Sequence, residues 1–281
     1  MVLYPIQVKR TLAPGVRLYE ISAPLVARKA QPGQFVIVRV NETGERIPLT
    51  IADYDRKMGT ITMVVQEIGF TTKTLAKMEV GDALLDFIGP LGNPSELRDS
   101  GTVVCIGGGV GCAPLYPQVR ALSQKGVNVI TIVGARSAEH LILTRELGRY
   151  SNQLHIATDD GSQGRKGFVT DILKDLIEQG TPIDQVIAIG PMIMMKVVTG
   201  VTKQYNLPTM ISLNSLMVDG TGMCGSCRVT VGGVTKFACV DGPEFDAHQV
   251  DFDEQMKRAA VYRDQEAKAL ARLDCGCRNG H

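Results

Sequence analysis

Three cysteines near the carboxyl-terminal end of the chain have spacings typical of a cluster-binding loop. Cys224 and Cys227 lie in the glycine-rich run "VDGTGMCGSCRV", and Cys239 follows after eleven intervening residues. Plant-type iron–sulfur loops space their ligands C-x4-C-x2-C before a fourth cysteine. Counting back from Cys224, the first ligand position holds Asp219, whose carboxylate has the charge of a thiolate but is a harder donor. The spacing predicts a [2Fe–2S] site with Asp219 as its fourth ligand.

Two other ligand sets are compatible with the same residues. Cys224, Cys227, Cys239 and His248 could form a zinc site with three cysteines and one histidine. Alternatively, Asp219 only caps the loop, and Cys275 or Cys277 near the carboxyl terminus supplies the fourth ligand.

A second candidate site follows an apolar run in "VVCIGGGVGCAPLYPQVRAL". The run leads into four glycines and then into a helix that is predicted to begin near Pro114. Glycines let the backbone approach a pyrophosphate, and a helix amino terminus offers free N–H donors. The spacing differs from the Rossmann G-x-G-x-x-G because Cys112 takes the third glycine position. The pattern indicates a dinucleotide site at Gly107, Gly108, Gly109, Gly111 and Pro114.

The predicted secondary structure that must position these sites changes near Ser100, from strands alone to strands that alternate with helices. Earlier runs such as "QFVIVRV" and "GTITMVVQEI" are short and β-rich, whereas later apolar strands alternate with helical segments. The chain is therefore expected to combine β and α/β domains. An antiparallel β-barrel is predicted over 1–99, a parallel-sheet α/β domain over 100–215, a cluster-binding segment over 216–243 and a helical tail over 244–281.

Composition narrows the classes of partner. The 281 residues carry a net charge of +1, which provides no general field for nucleic acid. The amino-terminal residues lack the pattern of a targeting signal, and no apolar run has the length of a membrane span. An odd count of seven cysteines favours metal or thiol chemistry over a disulfide framework. We expect a soluble cytoplasmic protein whose partners are small molecules or proteins, with no nucleic acid and no membrane.

The sequence contains four further motifs: "RIPLT", "IGFTTKTLAKM", "TDDGS" and "IGPMIMM". With them, the chain resembles the ferredoxin–NADP reductase superfamily over residues 5–243. Within it, the chain resembles the branch that contains the dihydroorotate dehydrogenase electron-transfer subunit and the small subunit of NADH-dependent ferredoxin:NADP oxidoreductase. The resemblance implies FAD in the barrel and NAD(H) in the α/β domain. It also implies that an Asp at the first cluster position is typical of the oxidoreductase small subunits, whereas the dihydroorotate-linked subunits have Cys there.

The resemblance assigns roles to individual residues. Arg46 is expected to contact the flavin phosphates, and Thr50 is expected to lie near the isoalloxazine N5 as the residue closest to catalysis. Gly107 to Gly111 are expected at the pyrophosphate. The other cofactor-binding residues that it implies are Pro48, Leu49, Val64, Gly69, Thr71, Thr72, Thr158, Asp159, Asp160, Gly161, Gly190, Pro191 and Met192. No role is assigned to Cys105, Cys112, His140 or His155.

The implied function is electron transfer. Such a subunit exchanges a hydride between NAD(H) and FAD and passes single electrons through the cluster to a larger flavin and iron–sulfur subunit. The expected complex is an electron-bifurcating NADH-dependent ferredoxin:NADP oxidoreductase, with ferredoxin as an indirect partner. One alternative is an electron-transfer subunit of dihydroorotate dehydrogenase, or of a sulfide dehydrogenase or hydrogenase. Another, from a different class, is a non-catalytic dinucleotide sensor with structural zinc.

Overall fold

The computed structural model describes residues 3–274. Its first part is built from short antiparallel strands in two sheets, with strand orders β5-β6-β2-β1-β7 and β4-β3-β8. The elements are β1 (Tyr4–Ala13), β2 (Val16–Ser22), α1 (Pro24–Lys29), β3 (Phe35–Arg39), β4 (Ile47–Thr50), β5 (Asp53–Asp55), β6 (Thr60–Gln66), α2 (Phe70–Ala76), β7 (Ala83–Leu84) and β8 (Asp86–Leu91).

Alternate side chains of these strands are buried and form the apolar core of this part. In β6, Ile61, Met63 and Val65 are buried while the residues between them are only half-buried, which is the two-residue period of a strand. They pack with Tyr19 of β2 and Val36 of β3, so that the two sheets enclose one apolar interior. The predicted antiparallel barrel is confirmed.

The second part is a parallel sheet with crossover helices. Its elements are β9 (Thr102–Gly108), α3 (Cys112–Gln124), β10 (Asn128–Ala135), α4 (Thr144–Arg149), β11 (Gln153–Thr158), β12 (Arg165–Lys166), α5 (Val169–Glu178), β13 (Gln185–Ile189), α6 (Met192–Gln204) and β14 (Thr209–Ser212). Every residue of β9 is buried, as expected for a central strand covered on both faces. The predicted α/β architecture is confirmed.

The last part extends the sheet and then becomes helical. It contains β15 (Arg228–Val231), β16 (Val234–Phe237), β17 (Glu244–Asp246), α7 (Phe252–Ala259) and α8 (Arg263–Asp274). Strand β17 pairs antiparallel with β14, which makes the full sheet order β12-β11-β10-β9-β13-β14-β17. The segment 244–281, predicted to be helical, thus begins with a strand, whose central residue Phe245 is buried.

The run of helix formers near the carboxyl terminus forms two helices rather than one. Helix α7 ends at Ala259, and α8 begins at Arg263. Val261 and Tyr262 occupy the break, and both are weaker helix formers than the residues around them. Helix α8 packs against α2 of the barrel. None of the helices within residues 3–274 is both long and apolar enough to span a membrane.

One buried acid joins all three parts of the chain. Glu244 Oε1 accepts hydrogen bonds from Ser95 Oγ at 2.8 Å and from Gln118 Nε2 at 2.6 Å. Ser95 belongs to the linker after the barrel, and Gln118 belongs to α3. Gly33 of the barrel packs against the same group, because a Cβ there would lie 2.2 Å from Ser95 Oγ and 3.0 Å from Glu244 Oε1. Burial raises the pKa of the Glu244 carboxyl to about 7, against the opposing hydrogen bonds from Ser95 and Gln118.

This carboxyl makes stability depend on pH. A folded-state pKa of about 7, above the ordinary 4.5, means that the folded chain binds the proton more tightly than the unfolded chain. As the pH rises from 4.5 to about 7, the free energy of unfolding should therefore fall by roughly 3 kcal/mol. Glu244→Gln should remove this fall, measured as urea midpoints of the cofactor-loaded protein from about pH 5 to about pH 8.

The control is Glu178→Gln, which changes an exposed acid at the end of α5, outside the contacts of Glu244. This variant should keep the pH dependence of the unaltered protein. An unchanged pH dependence in Glu244→Gln would contradict the assignment of the titration to this buried acid.

Candidate functional site

The dinucleotide motifs meet where the strand order of the parallel sheet reverses. From β9 the chain builds outward through β10 and β11, then returns to place β13 on the other side of β9. Gly107, near the end of β9, pairs with Ile189 at the end of β13. Ligands of open α/β sheets bind at the carboxyl ends of strands at such a reversal. The runs containing Gly107 and Gly190 are therefore brought to one site by topology.

The glycines of this site serve different purposes. A Cβ on Gly108 would lie 2.4 Å from Met194 Sδ, and one on Gly111 would lie 2.3 Å from Ile189 O. Gly107 is similarly crowded by Cys112 Sγ at 2.8 Å. Gly109 has a φ of +53° and open space where a side chain would stand. Close packing explains the first three glycines, and Gly109 leaves backbone exposed to a ligand.

A cavity of about 820 Å³ opens beside these glycines. The barrel contributes Pro14, Val16 and Gln66 to its wall, so the cavity lies between the two domains. Of the residues predicted from the sequence, Gly108, Gly109, Asp159, Gly190 and Pro191 line it. The wall also contains residues that the sequence analysis did not select: Gly134, Ala135, Ala157, Phe168, Val169, Thr170, Ile193, Met194, Val197 and Asn214, together with Arg136 and His140.

The loop after β11 is held by its own polar side chains. Thr158 Oγ1 donates to Gln163 O at 2.8 Å and accepts from Gln163 N at 3.1 Å. Asp160 Oδ1 accepts from Ser162 Oγ and N, and these hydrogen bonds lower the pKa of Asp160. Gly161 adopts a φ of +79° against Lys166. Thr158, Asp160 and Gly161 therefore shape the loop, and Asp159 faces the cavity.

Two other predicted residues lie beside the cavity rather than in its wall. Pro114 falls in the first turn of α3, which begins at Cys112, slightly earlier than predicted. Met192 opens α6 and packs against the main apolar core, while Ile193 and Met194 line the cavity. The helical period turns Met192 away from the cavity that its neighbours face.

The predicted flavin strand β4 lies on the edge of the smaller barrel sheet. Thr50, Leu49 and Pro48 pair with Phe35, Val36 and Ile37 of β3. Arg46 stands just before β4 with its side chain 44% exposed, and its nearest acid is Asp86, 3.7 Å away. Arg39 Nε holds the same carboxylate at 2.7 Å. The Arg46 guanidinium is thus partly free to meet an anion.

The second flavin segment is a capped helix. Thr72 Oγ1 accepts from Gly69 N at 2.9 Å, which closes the amino-terminal turn of α2. Thr71 is buried, and its hydroxyl donates to Glu45 Oε2 at 3.3 Å, joining α2 to the loop that carries Arg46. Val64 of β6 packs against the core of the α/β domain, so it faces the boundary between domains.

The cluster segment places two of its cysteines side by side. Cys227 and Cys239 are buried with their Sγ atoms 3.2 Å apart, and Cys224 is exposed on the loop. Burial, reinforced by the neighbouring Cys227 thiol, raises the pKa of Cys239. Hydrogen bonds involving Ser226 lower the pKa of Cys224. A bound cation would stabilise the Cys239 thiolate, which burial disfavours.

Asp219 lies on the same loop and faces its backbone. Its Oδ1 accepts from Thr221 N at 2.9 Å, and its Oδ2 accepts from Cys224 N at 3.0 Å. These backbone donors, with Thr221 the larger influence, lower the pKa of the Asp219 carboxyl. Gly220, Gly222 and Gly225 all have positive φ, which lets the loop turn sharply between the acid and the cysteines. The charged donor set and the turning loop fit an iron–sulfur cluster.

The alternative ligands stand elsewhere. His248 Nε2 lies 3.0 Å from Thr202 Oγ1 of α6. In the part of the chain that the structure covers, no three His, Cys, Asp or Glu side chains converge on one point. Of the predicted cluster ligands, the structure brings together Cys227 and Cys239, and it does not bring Asp219 and Cys224 to that pair as a ready metal site. Cys275 and Cys277 lie outside the described residues.

Two family models match the chain at these sites. Residues 105–200 match the oxidoreductase NAD-binding domain, and residues 214–251 match the iron–sulfur cluster binding domain of dihydroorotate dehydrogenase B. The first range contains the glycines of the cavity, and the second contains Asp219 and the three cysteines. Nicotinamide dinucleotide and iron–sulfur binding are therefore confirmed as the chemistry of the two regions.

Comparisons of the whole chain with known proteins agree with these two family matches. The chain is 49% identical to a dihydroorotate dehydrogenase B (NAD(+)) electron transfer subunit homolog of Thermotoga maritima, over 94% of this chain and 93% of that protein. It is 48% identical to an uncharacterised protein of Clostridium beijerinckii, over 98% and 99% of the two chains. A solved chain from an NADH-dependent reduced ferredoxin-NADP oxidoreductase, described for flavin-based electron bifurcation, superposes with a TM-score of 0.92 at 47% identity, covering 97% of this chain and 98% of that one. The resemblance expected from the motifs is confirmed.

The open position of Gly109 can be tested against a matched glycine. Gly109→Ala and Gly126→Ala both place a Cβ at positive φ with open space around it, so each should lower the free energy of unfolding by about 1 kcal/mol. Only Gly109 lines the cavity. Calorimetric titration with NADH should show at least about tenfold weaker binding for Gly109→Ala and unchanged binding for Gly126→Ala. Equal affinities in the two variants would rule out Gly109 as a point of ligand approach.

Proposed function

The chain belongs to the family of electron-transfer subunits of the dihydroorotate dehydrogenase B type, and from that membership we propose a function for its three sites. It is an oxidoreductase subunit with an NAD-binding and an iron–sulfur-binding domain. When bound, FAD would accept a hydride from NADH and release its electrons singly through the [2Fe–2S] cluster to a larger partner subunit. The protein's own residues bind these groups and hold them in line.

Strand β3 carries this proposal, because it touches both electron-carrying regions. One edge of β3 pairs with the flavin strand, Ile37 opposite Pro48. The cluster loop lies over the same residue: a Cβ on Gly220 would stand 3.0 Å from Ile37 Cγ1 and 2.7 Å from Leu91 Cδ1. Cys227 and Cys239 pack in one core with Phe35, the partner of Thr50. The proposed flavin and cluster sites therefore share one strand.

In the barrel, Arg46 would bind the FAD phosphates through charge-assisted hydrogen bonds. Its loop is tied to α2 by the hydrogen bond between Thr71 and Glu45. Thr50 would hydrogen-bond near the flavin N5. Pro48, Leu49 and Val64 would provide apolar contacts, and Thr72 would act by holding the helix turn.

In the α/β domain, the cavity would take the dinucleotide with its pyrophosphate at Gly109. Asp159 faces this cavity from the opposite loop, and Pro191 lines it beside the end of β13. We favour NAD(H) over NADP(H), because the names of related subunits specify NAD(+). Two arginines could hold a 2′-phosphate: Arg165 is already paired with Asp175, and Arg136 lines the cavity.

For the cluster we propose Asp219, Cys224, Cys227 and Cys239 as ligands. The buried pair supplies two thiolates. The other two donors, Asp219 and Cys224, would come from the exposed loop that precedes Cys227, and the glycines of this loop would allow it to close over the buried pair.

The physiological partner that we propose is the large subunit of a bifurcating NADH-dependent ferredoxin:NADP oxidoreductase. Support comes from the likeness to such a solved chain over nearly the whole length and from Asp rather than Cys at position 219. The names of several relatives favour a dihydroorotate dehydrogenase catalytic subunit as the alternative. Purification of the native complex decides between them: a partner that reduces NADP supports the proposal, and one that oxidises dihydroorotate replaces it.

Arg46→Ala should weaken flavin binding. Loss of a charge-assisted phosphate contact costs about 1.5–3 kcal/mol, which corresponds to roughly ten- to a hundredfold in affinity. The matched control is Arg10→Ala, which removes an exposed arginine from β1 of the same barrel. Flavin released from each protein is identified by chromatography, and affinity is measured by fluorescence. Recovery of FMN alone, or equal FAD affinity in both variants, would refute the assignment.

Asp219→Cys should keep a [2Fe–2S] cluster, because it restores a four-thiolate set of the same formal charge. Its midpoint potential and electron paramagnetic resonance spectrum should shift, since ligand identity tunes a cluster. Asp219→Ala should yield a labile cluster with lower iron content.

The controls for this pair are Cys275→Ser and Cys277→Ser, which should leave the spectrum unchanged. Asp241→Asn removes another loop carboxylate, one that accepts from Phe237 N, and should also retain full iron. If Asp219→Ala kept its full iron content while Cys275→Ser or Cys277→Ser lost the cluster, the fourth ligand would be a tail cysteine and not Asp219.

A further inference from the structure

An ion pair joins the barrel to the α/β domain beside the flavin strand. Arg120 of α3 reaches Asp53 of β5, with Nη2 2.7 Å from Oδ1. The side chains are only 19% and 31% exposed, so solvent screens this pair less than the fully exposed pairs of the surface. The two residues are far apart in sequence, and their contact exists only when the domains are docked.

Aromatic rings hold the same guanidinium in place. The Arg120 Cζ lies 5.6 Å from the ring centre of Tyr54 and 5.4 Å from that of Tyr116. Tyr54 comes from the barrel, and Tyr116 comes from α3 itself. A planar guanidinium stacks on rings and pairs with a carboxylate at once, which a lysine ammonium does not reproduce. We call this group of Asp53, Tyr54, Tyr116 and Arg120 the Arg120 clamp.

The clamp connects the two elements that must be aligned for hydride exchange. Strand β5 begins at Asp53, directly after the flavin strand β4 and the buried Ile51 and Ala52. Helix α3 begins at Cys112, where the glycines of the cavity end. Arg120 stands eight residues along this helix, about 12 Å from its start at 1.5 Å per residue. Helix α3, which contains Pro117 between these two points, thus connects the clamp to the dinucleotide site.

We propose that Arg120 is a positioning residue for hydride transfer, holding the dinucleotide-binding end of α3 in register with the flavin strand through Asp53. This inference rests on the proposed function, because it concerns the alignment of its two cofactors. Reacting atoms must approach to about 3–3.5 Å, and a displacement of about 1 Å costs on the order of a hundredfold in rate. Arg120 touches neither the cavity wall nor the flavin motif, so it acts on rate through geometry and leaves dinucleotide affinity alone.

The test uses the full chain loaded with FAD and cluster. Flavin reduction by saturating NADH is followed by stopped-flow absorbance, and the NADH dissociation constant is obtained from the concentration dependence. Arg120→Ala should slow flavin reduction by about ten- to a hundredfold, with the dissociation constant within about threefold of the unaltered protein. Arg120→Lys should recover part of the rate, since it restores charge without the planar stack.

Asp53→Asn supplies a second variant that preserves the fold. An asparagine oxygen can still accept from Tyr54 N, as Asp53 Oδ1 does at 2.7 Å, but the charge is lost. It should slow the reaction as Arg120→Ala does, and the double variant should be no slower than the worse single one. If Arg120→Ala unfolds before it can be assayed, the rates of flavin reduction in Asp53→Asn and Arg120→Lys test the proposal instead.

Lys125→Ala is the matched control, at the residue that directly follows the same helix. Lys125 pairs with Asp99 at 2.8 Å, but the two side chains are 42% and 86% exposed, and the contact reaches only the linker. Its rate should stay within about twofold. Unchanged rates in Arg120→Ala and Asp53→Asn, or losses that follow the dissociation constant alone, would overturn the clamp. Failure of NADH to reduce the flavin of the unaltered protein would instead overturn the proposed function itself.

Discussion

The lack of space between strand β3 and the cluster loop is the constraint on which the rest of the site depends. Gly220 packs so closely on Ile37 and Leu91 that any side chain there would collide with them. Ile37 is also the ladder partner of Pro48 in the flavin strand. A single strand therefore contacts both the proposed flavin strand and the cluster loop, which lie far apart in the sequence.

The dinucleotide region is attached to this strand by different means. The reversal of strand order at β9 and β13 fixes where the cavity opens, and the barrel residues Val16 and Gln66 complete its wall. Across the same boundary, Glu244 and the Arg120 clamp tie α3 to the linker and to the barrel. In the proposed arrangement, one shared strand, one buried acid and one ion pair hold the three cofactor regions in line.

The sequence was sufficient for the fold and for the chemistry of the regions, because strand periodicity, glycine runs and cysteine spacing are local signals. It was insufficient where contacts are long-range. Nothing near Phe168 or Val197 marks them as cavity residues, and Met192 faces the core because of the exact phase of α6. The Asp53–Arg120 pair joins two positions whose proximity depends on domain docking. Strand β17 likewise required a partner, β14, that pattern alone does not reveal.

We propose that this chain carries electrons from NADH through flavin to an iron–sulfur cluster, with β3 in contact with both the flavin strand and the cluster loop. Anaerobic mixing of the loaded, isolated chain with NADH, followed by flavin absorbance and freeze-quenched electron paramagnetic resonance, tests it most directly. The account predicts that flavin bleaching precedes the signal of the reduced [2Fe–2S] cluster, and that chain stripped of flavin gives no cluster signal. Cluster reduction without flavin, or bleached flavin beside a cluster that stays oxidised when a dithionite control reduces it, would contradict the account.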